Sequence, residues 1–133
     1  MITAVDTNVF VDVLEPDPVH GTRSLALLKK AMREGSVVAC EVVWAEVGTA
    51  YGDRMEEVFE ALSEAGIGFL PMTREAAVKS AECWRLFRAR SGKPGRIVAD
   101  FLIGGHALVQ CDRLLTRDRG FYRDYFKPLV ILR

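Results

Sequence analysis

Five short apolar runs, separated from one another by helical patterns, constrain this chain more than any other feature of its 133 residues. They cover residues 2–5, 36–39, 67–70, 113–116 and 129–132. None shows the strict apolar–polar alternation of a strand with one wet face, so each reads as a strand buried on both sides. Between them the apolar residues recur at helical spacing. A helix begins around Val9–Leu14 and is broken by Pro16 and Pro18. Leu25, Leu28 and Met32 mark a second helix over residues 22–33, stopped by Gly35, and Val43, Val47 and Ala50 mark a third over residues 41–51. Asp53 with Glu56 forms a capping-box pattern ahead of Met55, Phe59 and Leu62, and Gly66 ends that helix. Thr73 is the expected N-cap of a long helix to residue 90, with Ala77, Ala81, Trp84 and Phe87 inward. A loop at Ser91-Gly92-Lys93-Pro94-Gly95 precedes a helix over residues 97–110.

Strands joined through helices require parallel crossovers with helices on both faces. The expected fold class is α/β: a three-layer α/β/α sandwich around a central, mainly parallel, short-stranded sheet, in a single domain spanning residues 1–133. In open sheets of this kind ligands gather beyond the carboxyl ends of the strands. The residues that follow each strand are therefore the ones to inspect.

Half the residues are hydrophobic, which excludes a disordered chain. Eighteen basic and eighteen acidic residues cancel, so any nucleic-acid footprint must be local. The three cysteines, Cys40, Cys83 and Cys111, lie far apart with no CxxC pair, which argues for reduced thiols over a thiolate zinc site. No apolar run approaches the ~20 residues that cross a bilayer, and no basic leader precedes the first strand. A soluble, cytoplasmic protein is expected.

Four acids stand at or near strand ends or in apolar helices. Asp6 follows Ile2-Thr3-Ala4-Val5 directly, and Asp118 lies two residues past Leu114-Leu115-Thr116. Glu46 falls within Trp44-Ala45-Glu46-Val47, and Asp100 is flanked by Val98, Ala99, Phe101 and Leu102. A carboxylate in such surroundings loses hydration, and an unpaired buried charge is costly. One reading gives each acid a private partner: a helix N-cap for Asp6, an arginine for Asp118, solvent for the others. The other gathers the four at one site, where a divalent cation with hard oxygen ligands relieves their repulsion. No basic residue directly flanks Asp6, Glu46 or Asp100 to do so instead.

Val5-Asp6-Thr7-Asn8-Val9, Val43-Trp44-Ala45-Glu46-Val47, Ala99-Asp100-Phe101-Leu102-Ile103-Gly104 and Leu115-Thr116-Arg117-Asp118, in that order, resemble the PIN-domain family. More narrowly, the chain resembles the VapC-type toxins of prokaryotic toxin–antitoxin pairs, from residue 2 to about residue 131. The resemblance implies an endoribonuclease in which Asp6, Glu46, Asp100 and Asp118 hold one or two Mg²⁺ or Mn²⁺ ions, with Thr7, Asn8 and Thr116 lining the same site. It also implies an RNA substrate, an antitoxin partner and a homodimer. Gly104 and Gly105 stand where small residues such as alanine are usual in that family. Each glycine costs a helix interior about 1 kcal/mol relative to alanine, so a close backbone approach is expected there.

Phosphate contacts require positive charge. Lys93, Arg96 and Arg117 are the candidate substrate-binding residues, with Arg88, Arg90 and Arg119 nearby in sequence. His20, in the proline-rich connector, is expected at the surface, and His106 is expected to be partly buried and hydrogen-bonded rather than catalytic. Two other readings remain open. One is a phosphohydrolase of the haloacid-dehalogenase type, whose Asp-x-Asp pattern fails here at Asn8. The other is a non-toxin RNA-processing nuclease of the same family, or a catalytically silent domain that binds metal or a partner through its acids.

Overall fold

The computed structural model describes residues 1–91 and 98–133. Four strands, β1 (Ile2–Val5), β2 (Ser36–Ala39), β3 (Ile67–Phe69) and β4 (Arg113–Leu115), form one sheet in the order β3-β2-β1-β4, and every pairing is parallel. Thr3, Ala4 and Val5 are all buried, as is all of β4. Successive side chains of a strand point to opposite faces, so this burial means the sheet is covered on both sides. The α/β architecture with a parallel central sheet matches the expectation from the apolar runs. The run at 129–132 does not extend the sheet as a strand. It makes a single parallel bridge, Leu114 to Ile131, with Leu114 and Val130 joined by one backbone bond and Leu132 and Leu114 by another, each 2.9 Å.

The helices are α1 (Thr7–Leu14), α2 (Gly21–Glu34), α3 (Glu41–Tyr51), α4 (Met55–Glu64), α5 (Arg74–Ser91), α6 (Val98–Gln110) and α7 (Arg119–Tyr125). Several faces differ from those the sequence pattern predicts. In α3 the buried stripe is Val43, Trp44, Val47 and Gly48, and Ala50 is exposed. In α5 it is Ala76, Ser80 and Cys83 with Phe87 half-buried, while Ala77 and Ala81 face outward. Alanine is equally at home on either face, and the polar Ser80 is accommodated inside because its hydroxyl donates to the Ala76 carbonyl at 2.8 Å. The expected capping box is also absent. A 3₁₀ turn over Gly52–Arg54 leads into α4, and Arg54, not Asp53, occupies its N-cap position without a side-chain bond. Thr73 does cap α5, accepting from the Ala76 amide at 3.2 Å.

Gly104 and Gly105 mark two close approaches. A Cβ on Gly104 would lie 2.5 Å from the Phe126 ring, and one on Gly105 would collide with Ser80 Oγ and sit 2.7 Å from the Ala76 carbonyl. Helix α6 therefore packs against α5 almost backbone to backbone. Its first turn is held by an aromatic cluster. Phe101, fully buried, stacks near Trp84 (6.1 Å) and meets Phe87, Phe121 and Phe126 at ring separations of 5.4, 5.3 and 6.0 Å. Phe121 and Phe126 belong to or border α7, a helix the sequence pattern did not signal. Cys40 and Cys83 are buried and Cys111 half-buried, all as free thiols. No helix among the described residues is long and apolar enough to cross a membrane.

Candidate active site

The strand order reverses between β1 and β4. β2 and β3 lie in succession on one side of β1, whereas β4 lies on the other. Crevices open beyond the carboxyl ends of parallel strands at such a point. The register pairs Val5 with Leu115, which brings Asp6 and Thr116 side by side, and the Asp6 amide extends the ladder to the Leu115 carbonyl at 2.9 Å. Asp6 is also the N-cap of α1, so strand and helix together fix its carboxylate.

That carboxylate is only 6% exposed. Oδ1 accepts from the Thr7 amide at 2.8 Å. Oδ2 accepts from the Thr116 hydroxyl at 2.7 Å and from Asn8 Nδ2 at 3.3 Å. Burial is the largest influence on its acidity and raises the pKa from 3.8 to about 6, with the charges of Asp100 and Glu46 pushing the same way. The bonds from Thr116 and Thr7 oppose the rise without cancelling it. Asp6 thus caps a helix and lies close enough to Asp100 and Glu46 for their charges to act on it.

Glu46 reaches the site from the half-buried flank of α3, whose Val43, Trp44 and Val47 are buried. The Trp44 indole donates to the Ala39 carbonyl at 3.2 Å and ties α3 to the end of β2. Glu46 Oε1 accepts from the Thr7 hydroxyl at 2.6 Å. Asp100, half-buried, lies in the first turn of α6 beside the anchored Phe101. The Tyr122 hydroxyl donates to its backbone carbonyl at 3.3 Å. Asp118 is connected through its backbone, its amide donating to the Thr116 hydroxyl at 3.0 Å. The Arg117 amide donates to Asn8 Oδ1 at 3.3 Å. Thr7, Asn8 and Thr116 therefore each bond a carboxylate of the site.

The donor set suits a hard divalent cation: carboxylates with hydroxyl and amide support and no soft ligand among them. An ionised carboxylate offers about four lone-pair sites. Three donors among the described residues engage Asp6, which leaves acceptor capacity on Oδ1. Among the described residues no three acidic, histidine or cysteine side chains are already closed into a cation cage. The chemistry of the group fits the ion.

Arg117 has a role that the sequence did not signal. Its Nε pairs at 2.8 Å with Asp12 Oδ2, an acid only 2% exposed, whose Oδ2 also accepts from the Ser24 hydroxyl at 2.7 Å. Asp12 lies six residues beyond Asp6, and nothing in Val11-Asp12-Val13 announces a partner. Arg117, a candidate phosphate contact, thus has its Nε engaged by an internal carboxylate. Lys93 and Arg96 lie outside the described residues. The Arg88 guanidinium sits over the Trp84 ring at 5.9 Å. His20 is exposed, while His106 is 1% exposed, bonded to the Leu70 backbone with Nε2 unpartnered, and burial depresses its pKa.

The PIN domain family model matches residues 3–127. No curated protein sequence matches the chain. Among solved structures, VapBC2 from Rickettsia felis, bound to a DNA fragment from its promoter, aligns with TM-score 0.73 at 20% identity, over 98% of this chain and 97% of that one. FitAcB from Neisseria gonorrhoeae aligns with TM-score 0.69 at 25% identity, over 100% and 97%. VapC20 from Mycobacterium tuberculosis, described as a toxin that cleaves the sarcin–ricin loop, aligns with TM-score 0.64 at 12% identity, over 93% and 95%. With the family model spanning nearly the whole chain and the same fold recurring end to end in these structures, the chain belongs to the PIN-domain family.

Proposed function

We propose that this chain is a single-domain, Mg²⁺- or Mn²⁺-dependent endoribonuclease and the toxin of a toxin–antitoxin pair, acting in the cytoplasm. The observation that carries the reading is the buried Asp6 carboxylate at the β1–β4 switch point, with Glu46 and Asp100 near enough to raise its pKa. Such crowding of like charges is unfavourable without a counterion. Asp6, Glu46 and Asp100 would hold the ion, with Asp118 completing the group from the turn before α7. The ion, when bound, supplies acidification of a water molecule and neutralisation of charge on the phosphodiester.

The residues of the chain do the rest. Thr7 fixes Glu46 through its hydroxyl and Asp6 through its amide, so one residue sets the separation of two ligands. Thr116 orients Asp6 and holds the turn that carries Asp118. Asn8 bridges Asp6 and the Arg117 backbone. Such supporting contacts orient ligands and tune their basicity. The solved VapBC and FitAB complexes support an antitoxin partner, and homodimerisation is part of the same reading.

The test is cleavage of a labelled structured RNA by purified protein with EDTA, Mg²⁺ or Mn²⁺, beside Asp6→Asn. Metal-dependent cutting that disappears in the variant supports the proposal. Cutting that persists in EDTA or in Asp6→Asn overturns it. A second reading, a domain that binds metal or a partner through these acids without turnover, draws on the absence of a preformed cage among the described residues. Manganese binding by folded protein that cuts none of several RNAs would favour it.

A further inference from the structure

The chain carries no net charge, yet its positive charge is unevenly placed. A cavity of about 160 Å³ opens beside the site, lined by Thr116 together with His20, Arg23, Arg117 and Arg119 over an apolar floor that includes Val9 and Leu27. A second cavity of about 550 Å³ is lined by Arg119, Arg123 and Arg133 around Leu129, Val130 and Ile131. Arg119 belongs to both, and Thr116 belongs to both the first cavity and the Asp6 cluster. The site, the small cavity and the large cavity are therefore contiguous through shared side chains.

Among the described residues no Asp or Glu lines either cavity. Asp118, between Arg117 and Arg119 in sequence, is assigned to the acid cluster, and three other acids nearby in the chain are engaged elsewhere. Asp12 is buried beneath Arg117, Asp17 accepts from the His20 and Val19 amides at 2.8 Å each, and Asp124 pairs with Arg123 at 3.1 Å on the exposed face of α7. Arg23, Arg119 and Arg133 are exposed. A row of exposed guanidinium groups over apolar ground, leading away from a cluster of acids, suits a strand with charged phosphates and flat, weakly hydrated bases.

We propose that this surface, Arg23–Arg119–Arg133, is the track for single-stranded RNA flanking the scissile phosphate, with Arg119 as its shared centre. It rests on the nuclease reading for its direction, towards Asp6, but not for its existence. The apolar residues 129–131, which the sequence marked as a strand and which form only a bridge, become the floor on which bases lie. Arg117 keeps the small cavity basic while its Nε holds Asp12, so it shapes the track rather than contacting phosphate alone.

Binding of a fluorescein-labelled 20-mer of uridine, in EDTA and across a salt series, tests this directly. Each phosphate contact on a single strand contributes a slope of about 0.7 in log affinity against log salt. The triple variant Arg23→Ala/Arg119→Ala/Arg133→Ala should lower the slope by about 2, from three such contacts, and weaken binding at least about tenfold at low salt. Arg119→Ala alone should give about a third of the change in slope. Arg54→Ala, in the exposed turn before α4, should match wild type. Thermal melting of each variant, expected near wild type since the side chains are exposed, reports folding. Unchanged affinity and slope in the folded triple variant, or no binding by wild type, overturns the proposal. So does a loss seen on duplex DNA and not on the RNA, which assigns the surface to DNA. Metal-dependent cleavage and its loss in Asp6→Asn report on the nuclease reading alone, so either idea can fail by itself.

Discussion

Thr116 Oγ1 donates to Asp6 Oδ2 at 2.7 Å, joining two residues 110 positions apart at the ends of adjacent parallel strands. The same hydroxyl accepts from the Asp118 amide. A single side chain thus couples the ionisation of the buried acid to the turn that carries the fourth carboxylate.

The metal-free protein should be less stable when Asp6 is ionised. Its folded pKa of about 6 lies above the ordinary 3.8, so the folded state holds the proton more tightly than the unfolded chain. Stability is fully present below the unfolded pKa and declines as pH rises through about 6, because over that window the unfolded state binds fewer protons. A shift of about two units corresponds to about 3 kcal/mol. Asp6→Asn cannot ionise, so in EDTA it should exceed wild type by up to about 3 kcal/mol at pH 7 and match it near pH 4. Urea unfolding at the two pH values measures both, and equal stability at pH 7 would contradict the burial of a charged Asp6.

Thr116→Val removes a bond that favours the ionised form of Asp6, so the pKa of that acid should climb further above 6. The acid limb of the cleavage profile should move to higher pH, and a carboxyl-carbon NMR titration of metal-free protein should show the same displacement. Thr116→Ser should restore both. Loss of a single buried bond of this kind costs about 1 kcal/mol in stability, which unfolding would register separately.

Gly105→Ala should destabilise despite the better helix propensity of alanine. Propensity returns about 1 kcal/mol, whereas forcing a methyl into a packed interface costs roughly 1–3 kcal/mol. The obstacle is backbone as well as side chain, since the Ala76 carbonyl lies 2.7 Å from the new Cβ. Combining it with Ser80→Gly should recover part of the loss in thermal melts and leave a residue due to that carbonyl. A stabilised Gly105→Ala would refute the close packing of α5 and α6.

Arg117→Ala should lose stability before it loses anything else. It strands Asp12, whose side chain is 2% exposed, without its cation. Breaking a buried pair from one side costs about 3–5 kcal/mol. Because Arg117 is 38% exposed and solvent screens the pair, about 2 kcal/mol is the expected loss. Adding Asp12→Asn should relieve most of it. If Arg117→Ala unfolds like wild type in urea but fails to bind RNA, the arginine belongs to the substrate and not to Asp12.

Four apolar runs became strands because runs buried on both faces leave an unambiguous signature, and Gly35 and Gly66, both at positive φ or near-extended turns beside the strands, fall where the pattern placed them. The glycine pair in α6 correctly announced a close approach. The sequence pattern misplaces the face of α5 because Ala77 and Ala81 carry no facial information, and it gives no sign of α7, whose seven residues include Gly120 and only two turns. The Asp12–Arg117 pair is invisible in the sequence, since a charge does not disclose its partner.

The sequence by itself determined that short buried strands alternate with helices and that four acids stand near strand ends or in apolar helices, because local periodicity and strand-end position are properties of neighbouring residues. Only the tertiary structure decided that β4 lies beside β1, so that Thr116 reaches Asp6, and that Glu46 and Asp100 raise its pKa. Strand order and carboxylate acidity depend on groups far apart in the chain, and those meet only when the sheet has closed and water has left the space between them.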